Sequence, residues 1–149
     1  MTEDLLLLMQ KELELLRNAA RVLGYSYEKC SRIGIKDAYD DDELDKFESL
    51  TSRFARLGDI LIQKIFRLID ELDLDAAGTV RDRINRAEKK GLIDSADVFI
   101  EIRMLRNDIA HEYVPEEIIE LFKKVLKATP LLISSVAKVE HYCIRYLSR

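Results

Sequence analysis

One stretch of the sequence, from Arg106 to Tyr113, gathers side chains suited to chemistry on a phosphodiester. It reads Arg-Asn-Asp-Ile-Ala-His-Glu-Tyr. Imidazole groups in general titrate near neutrality and can take up or release a proton. His111 supplies an imidazole here. The guanidinium of Arg106 can bind two phosphate oxygens at once and stays charged while negative charge develops on them. Together these residue types indicate proton transfer at a bound phosphate.

Helical spacing predicts that these groups share one face of a helix, because each residue advances roughly 100° around the axis. This face carries Arg103, Arg106, Asn107, His111 and Tyr113, with only the small Ala110 between them. The core stripe consists of Val98, Ile102, Leu105 and Ile109, and an acidic flank of Glu101, Asp108 and Glu112. We expect Arg103 to add a second guanidinium for a phosphate, and Asn107 to orient the imidazole or bind a phosphate oxygen. With no second histidine nearby, the face indicates a site without a metal or other cofactor.

The same residues also have purely structural interpretations. An arginine and a histidine at this spacing occur by chance in many helices. The helix dipole favours a cation at a helix C-terminus, which suits His111, and Tyr113 suits an ordinary packed aromatic position. On spacing alone, the structural and functional interpretations are equally supported.

The complete run, lying just before Pro115, resembles the signature of the HEPN superfamily. That signature has an arginine, a polar residue and, a few residues later, a histidine, which Arg106, Asn107 and His111 match. Tyr113 matches an extended form with a tyrosine two residues after the histidine. This form is similar to the HepT toxins, which pair with MNT-type nucleotidyltransferase antitoxins. The motif covers eight residues, and the predicted helix layout extends a looser resemblance over most of the chain.

The resemblance implies an all-α, HEPN-like fold and a metal-independent endoribonuclease. Two copies of the motif would face one cleft in a homodimer, so that Arg106 and His111 act from both subunits. The ribose 2′-hydroxyl would attack its own phosphate and leave a cyclic phosphate and a 5′-hydroxyl. His111 would transfer the proton, Arg106 would clamp the phosphate, and Asn107 would support them. The partner nucleotidyltransferase would neutralise the toxin by adding AMP to Tyr113.

Two other functions are compatible with the same residues. One is a non-catalytic substrate-binding or regulatory subunit of a two-component nucleotidyltransferase. The other is a structural helical dimer with a vestigial motif. The chain lacks a Gly-Ser pair followed by paired aspartates, so it is not itself the nucleotidyltransferase. The ribonuclease is favoured over the binding subunit, and both over the structural dimer.

The rest of the sequence predicts the helices that must position this face. A length of 149 residues fits one domain, 1–149. A content of 48% apolar residues with five glycines and two prolines is typical of a compact helical protein. Apolar residues recur at spacings of three and four, and no stretch alternates as a strand does. We therefore predict an all-α, up-and-down bundle of about five helices.

The second of these helices has the most continuous apolar stripe. Its members are Leu44, Phe47, Thr51, Phe54, Gly58, Leu61, Ile65, Leu68 and Leu72. Such a stripe is typical of a long bundle partner or of a dimer seam, and it motivates the prediction of a homodimer. Gly58 within it allows a close approach by another backbone, or is simply a weak helix position.

Local signals set the remaining helix bounds. We expect the first helix to start at Thr2 and stop at Gly34, followed by an acidic, mobile link over 35–42. A basic third helix is predicted over about 75–90, with Gly91 ending it. A fourth should run from a Ser95 cap to about 113 or 114, and a fifth from Pro115. Thr129-Pro130 either kinks this fifth helix or starts a sixth.

Charge and cysteine content indicate what the protein can bind and in which compartment it is found. The net charge is −4, yet residues 81–90 hold five bases against two acids, a patch that either meets phosphate or is a solvated face. Cys30 and Cys143 lie far apart and are expected to be small buried residues in a reducing cytoplasm. The acidic start lacks a signal-peptide pattern, and Leu5 to Met9 is too short to span a membrane. We therefore expect a cytoplasmic protein.

Overall fold

The computed structural model describes residues 2–111 and 114–147, and its regular elements there are all helical. They are α1 (Thr2–Ile33), α2 (Asp41–Asp59), the π-helical stretch π1 (Ile60–Ile65), α3 (Phe66–Leu72), α4 (Val80–Lys89), α5 (Ala96–Ile109) and α6 (Pro115–Leu147). Because α2, π1 and α3 follow one another without a break, the described residues form five helical rods. The predicted all-α class and the predicted number of helices are confirmed.

Most helix ends are set by the local signals in the sequence. Asp40 and Thr79 each form a capping box at the start of α2 and α4, and the Ser95 hydroxyl caps α5. Gly34 and Gly91 follow α1 and α4 with φ angles of 76° and 78°. A residue with a side chain rarely adopts this conformation, so glycine fits the position after a helix. These predicted stops are confirmed.

The link before α2 is held by Tyr39. Its hydroxyl donates to the carbonyl oxygen of Gly34 at 3.0 Å, and its ring lies 5.0 Å from that of Phe47. Asp40 already caps the next helix, so the connection is short. These contacts do not favour the mobility expected of this segment.

Two other bounds differ from the predicted ones. The third helix begins at Val80, not near residue 75, because Thr79 supplies the cap. α6 continues through Pro130, so no sixth helix starts there. The Thr129 hydroxyl donates to the carbonyl oxygen of Val125 at 2.6 Å within the same helix.

Helices α1 and α2 run in opposite directions along the bundle. Arg53 of α2 donates to the hydroxyl of Ser26 at 2.7 Å. Further along the rod, Lys64 of π1 lies 3.9 Å from the carboxylate of Glu12. Later residues of one helix thus meet earlier residues of the other, as an up-and-down bundle requires.

The apolar stripe of the second rod lies in the core of the chain itself. Its buried members are Phe47, Thr51, Phe54, Gly58, Leu61, Ile65 and Leu68. Helices α1, α5 and α6 all pack against α2. The stripe is therefore a bundle partner within one chain, and its interpretation as a dimer seam is wrong.

The π-helical stretch was not predicted. Each of its hydrogen bonds spans five residues instead of four, so the chain turns less per residue than in an α-helix. Within this stretch the consecutive residues Ile60, Leu61 and Ile62 are all buried. Just before it, a Cβ atom on Gly58 would meet nothing within 4 Å, so the suggested close backbone approach at this glycine is wrong.

A buried charge network joins α3 and α4. Asp70 is only 3% exposed, and its carboxylate accepts from the Arg86 Nε and the Lys90 Nζ, both at 3.0 Å. Lys90 also lies 3.0 Å from Asp73. Two bases of the 81–90 run therefore serve this network instead of a phosphate surface.

The network continues to the end of α6. The hydroxyls of Tyr142 and Tyr146 each donate to Asp73 at 2.5 Å. Burial acts to raise the pKa of Asp73, but the hydrogen bonds from the two tyrosines and Lys90 outweigh it and lower this pKa. The ionised carboxylate thus ties α6 to the turn after α3.

The two cysteines are buried and form no disulfide, as expected for small core residues. Burial raises the pKa of the Cys30 thiol to about 11 and that of Cys143 to about 12. No helix in the described part of the chain is both long enough and apolar enough to span a membrane.

Candidate functional site

Arg106 projects from α5 to the end of α2, where Asp59 holds its guanidinium. The Nε donates to one carboxylate oxygen of Asp59 at 2.7 Å, and Nη2 donates to the other at 2.9 Å. The hydrogen bond to Asp59 raises the pKa of Arg106. The side chains remain 33% and 41% exposed, respectively. Two parallel bonds fix the plane of the guanidinium while leaving the pair open to solvent.

The pair uses one edge of the guanidinium only. A guanidinium carries five N–H donors, and Asp59 takes one on Nε and one on Nη2. The remaining donors of Arg106 make no hydrogen bond to any residue that the structure describes. This outer edge can bind two phosphate oxygens while Asp59 keeps the group in place.

A small cavity of about 60 Å³ lies beside the pair. Its lining consists of Gly58, Asp59, Ile62, Gln63, Ile102, Arg103, Arg106 and Asn107. The structure therefore brings together Arg103, Arg106 and Asn107, three of the residues predicted for the site. Gly58 contributes to the space because a side chain at this position would extend where no atom lies within 4 Å.

Positive charge accumulates around Arg103. Burial lowers the pKa of nearby Arg83, and the positive charges of Arg67, Arg86 and Arg103 lower it further. Arg83 itself donates to the carbonyl oxygen of Ile62 in π1 at 3.1 Å. The cavity thus adjoins a cationic surface on α4 and α5, although the whole chain is acidic.

The fourth helix ends earlier than predicted. It stops at Ile109, and the next two amides bond three residues back, from Ala110 to Asn107 at 3.2 Å and from His111 to Asp108 at 3.0 Å. Such bonds tighten the last turn of a helix and satisfy its final carbonyls. Pro115 disfavours helical geometry at Val114, and Val114 is accordingly not helical. The prediction of a helix to about residue 113 is wrong.

This early end changes the position of His111. Its side chain is exposed and makes no hydrogen bond or ion pair to the described residues. It does not line the cavity beside Arg106. Tyr113 and Glu112, the other predicted members of this part of the motif, lie outside the described residues. Within one chain, the described structure brings Arg106 and Asn107 together but not His111 with them.

Asp59 is the functional residue that sequence reasoning missed. It is 47 positions from Arg106, and it follows Gly58 just off the apolar stripe. Nothing in one sequence distinguishes it from the other acids on exposed helix faces. The only local signal is the neighbouring glycine, which was considered for backbone packing instead.

Comparisons of the chain with protein-family models, curated proteins and solved structures give no significant match. Among the described residues, no group of three or more His, Cys, Asp or Glu side chains is placed to hold a metal ion. The features that point to a function are therefore the geometry around Arg106 and the motif that contains it.

Proposed function

We propose that the chain is a HepT-like endoribonuclease of the HEPN superfamily, with a metal-independent site completed by a second copy. The observation that carries this proposal is the Arg106–Asp59 pair, which fixes a guanidinium and leaves one edge open. A donor that is already oriented stabilises developing charge without reorganisation. Asn107 and Arg103 line the same cavity and supply further donors for an RNA phosphate.

The reaction is a transfer of the phosphate within the RNA strand. His111 accepts the proton of a ribose 2′-hydroxyl as its oxygen bonds to the adjacent phosphorus. The bond from phosphorus to the 5′-oxygen then breaks, and that oxygen takes a proton from His111 of the partner subunit. Arg106 binds the non-bridging oxygens as charge develops on them. The products are a 2′,3′-cyclic phosphate and a 5′-hydroxyl, with no metal in any step.

The placement of His111 outside the cavity supports a composite site, since a second copy supplies a second imidazole. A groove of about 530 Å³ between α5 and α6 offers a surface for that copy. Met104 and Leu131 in it are 60% and 49% exposed. Its charged lining residues are Glu101 and Asp108 on α5 and Lys124 and Lys127 on α6. In a two-fold dimer each surface meets its own copy, so the acids of one chain can face the bases of the other.

A second candidate function is a non-catalytic binding or regulatory subunit of a two-component nucleotidyltransferase. The observation that favours it is the acidity of the chain, because a net charge of −4, with Asp108 inside the motif itself, opposes the binding of RNA. The exposed His111 also has no partner among the described residues. In this function the protein binds its partner enzyme but does not cleave RNA.

An RNA-cleavage assay in EDTA separates the two functions. We expect the purified protein to cut single-stranded RNA without added metal and to leave 2′,3′-cyclic phosphate ends. An Arg106→Ala preparation from the same purification controls for contaminating nuclease. A magnesium requirement with 3′-hydroxyl products contradicts this mechanism, and a folded parent protein without activity supports the binding subunit.

The dimer is tested by light scattering, where the parent should have twice the 17.3 kDa chain mass. Met104→Glu places a charge in the α5–α6 groove and should give an inactive monomer. Leu7→Glu is the matched control, because Leu7 is 62% exposed on α1 and should leave the dimer intact. A monomeric parent at micromolar concentration contradicts the composite site.

The neutralising partner is an MNT-type nucleotidyltransferase that adds AMP to Tyr113, and this proposal rests on the motif alone. Tyr113→Phe retains the ring and loses only the accepting hydroxyl. We expect this variant to cleave RNA but to accept no AMP from the partner enzyme, as measured by mass spectrometry. AMP incorporation at the parent level in Tyr113→Phe would exclude Tyr113 as the acceptor.

A further inference from the structure

A second groove lies on the other side of Asp59, between α1 and the α2–π1 rod. Its volume is about 390 Å³. Polar lining residues are Asn18 of α1 and Arg56, Asp59 and Lys64 of the rod. Because Asp59 also lines the cavity of Arg106, the two spaces share one wall.

The groove carries an excess of positive charge. The Asp59 carboxylate is already paired with Arg106, so it does not neutralise the cations on the groove side. Arg56 is exposed and makes no ion pair with any residue in the described part of the chain. Lys64 is 56% exposed and has only a long contact of 3.9 Å to Glu12. Two cations are therefore available to a ligand.

Asn18 adds a hydrogen-bond donor to these charges. Its side-chain oxygen accepts from Nη2 of Arg21 at 2.9 Å. This bond fixes the orientation of the amide and leaves its NH₂ group to donate elsewhere. Arg21 also brings a further positive charge close to the groove. Cationic side chains with an amide donor are the groups that bind a phosphate.

The π-helical stretch helps to place Arg56 and Lys64 on the same groove. In a regular α-helix, residues eight positions apart differ by roughly 80° around the axis. π1 turns less per residue, so it brings Lys64 back towards the face that carries Arg56. Both side chains accordingly line the groove.

We propose that this groove is a second phosphate-binding subsite, which holds the backbone of single-stranded RNA next to the phosphate that Arg106 binds. Arg56 and Lys64 bind the oxygens of a neighbouring phosphate, and the Asn18 amide donates to it. Asp59, fixed by Arg106, separates the two phosphates. The subsite rests on the proposed function only for the identity of its ligand as an RNA strand.

The test measures binding of a fluorescently labelled single-stranded RNA octamer by anisotropy across a series of salt concentrations. All variants carry His111→Ala so that the RNA stays intact. Arg56→Gln should weaken binding by several-fold and reduce the slope of log K against log salt by about 0.7, the value for one lost contact to a single strand. Lys123→Gln, which removes one exposed charge from α6, is the matched control and should leave the slope unchanged.

Lys64 needs a compensated variant, because its removal leaves the buried Glu12 without a cation. Glu12 is 7% exposed, and its Oε2 has no hydrogen-bond partner in the part of the chain that the structure describes. The double variant Lys64→Gln with Glu12→Gln avoids an unpaired buried charge. This double variant should show the same weakening of RNA binding and the same reduction of the salt slope as Arg56→Gln. If both variants bind RNA with the parent slope, the subsite is excluded.

The outcomes separate this subsite from the ribonuclease proposal. RNA binding that depends on Arg56, in a parent protein that does not cleave, supports the subsite and contradicts the ribonuclease. If the parent protein cleaves RNA and Arg56→Gln leaves its KM unchanged, the ribonuclease is supported and the subsite is contradicted. An ATP titration forms the last arm, because a free nucleotide also carries phosphate. Dependence on Arg56 for ATP but not for RNA overturns the proposal of an RNA backbone site.

Discussion

The arginine–carboxylate pairs Arg86–Asp70 and Arg106–Asp59 each connect two helices of this bundle, and they differ in what their surroundings leave unused. Asp70 is buried and its carboxylate is shared between Arg86 and Lys90. Asp59 keeps 41% of its side chain exposed and, among the described residues, pairs with Arg106 alone. The first pair is saturated and excludes ligands, whereas the second leaves donors facing solvent beside a cavity. The same two residue types thus serve packing in one place and are available for chemistry in the other.

Two basic segments that look alike in sequence, residues 81–90 and the motif in α5, differ in the same way. The 81–90 run has the higher density of bases, but Asp70 of α3 pairs with both Arg86 and Lys90, and the acids after α3 pair with Lys90 as well. The motif in α5 has fewer bases, yet its Arg103 is exposed and Arg106 is half-exposed. Density of charge therefore does not indicate which segment binds a phosphate. A basic segment is available to a phosphate only where the carboxylates of the folded chain do not already pair with its bases.

The largest expected difference between the two pairs is in stability. Asp70→Ala leaves Arg86 and Lys90 without their buried partner and should lower the free energy of unfolding by about 3–5 kcal/mol. Asp59→Ala breaks a half-exposed pair and should cost at most about 1 kcal/mol. Urea denaturation followed by circular dichroism measures both. Equal losses of stability in the two variants would show that the buried and the half-exposed pair contribute equally.

The next prediction concerns activity. Asp59→Asn removes the charge that fixes Arg106 and should lower kcat by roughly 10- to 100-fold with little change in KM, because the guanidinium is no longer positioned. Asp59→Glu keeps the charge and should restore part of the rate. Asp97→Asn, which neutralises an exposed acid in the first turn of the same helix, is the matched control. Loss of stability without a change in kcat would assign Asp59 a structural role only.

A smaller change in the free energy of unfolding is expected from a substitution in the buried network around Asp73. This change depends on pH. The pKa of Asp73 is lowered in the folded chain, so its stabilisation is complete above the ordinary aspartate pKa of about 3.9 and is lost as pH falls through the folded value. Tyr146→Phe removes one hydrogen bond to it and should cost about 1 kcal/mol at neutral pH. The loss of stability between neutral and acidic pH should also become smaller. A steeper acid dependence in this variant would contradict the assignment.

The smallest effect is expected at Gly58, beside the candidate site. Alanine fits there without a clash and should stabilise the helix by about 0.5–1 kcal/mol. The added methyl group also narrows the cavity beside Arg106, so RNA cleavage should fall. Thermal unfolding and initial rates measure the two changes. A variant that is more stable and fully active would show that this cavity is not used.

The sequence predicts the parts of the fold that depend on neighbouring residues. The Ser95 cap, the start of α6 at Pro115 and the glycine stops depend on interactions within a few positions, and the structure has them as expected. The π-helical stretch and the early end of α5 depend on how the helices pack, so spacing alone did not reveal them. The Arg106–Asp59 pair joins residues 47 positions apart, and only the folded chain brings them together.

The central claim is that His111 performs proton transfer at an RNA phosphate, and the chain provides its own control. His111→Ala should lower RNA cleavage by roughly a hundred-fold or more, because it removes the proton-transfer group. His141→Ala removes the only other histidine, an exposed one on α6, and should cleave at the parent rate. Circular dichroism should show both variants folded. Parent-level cleavage by folded His111→Ala would contradict the ribonuclease and leave the binding subunit as the function.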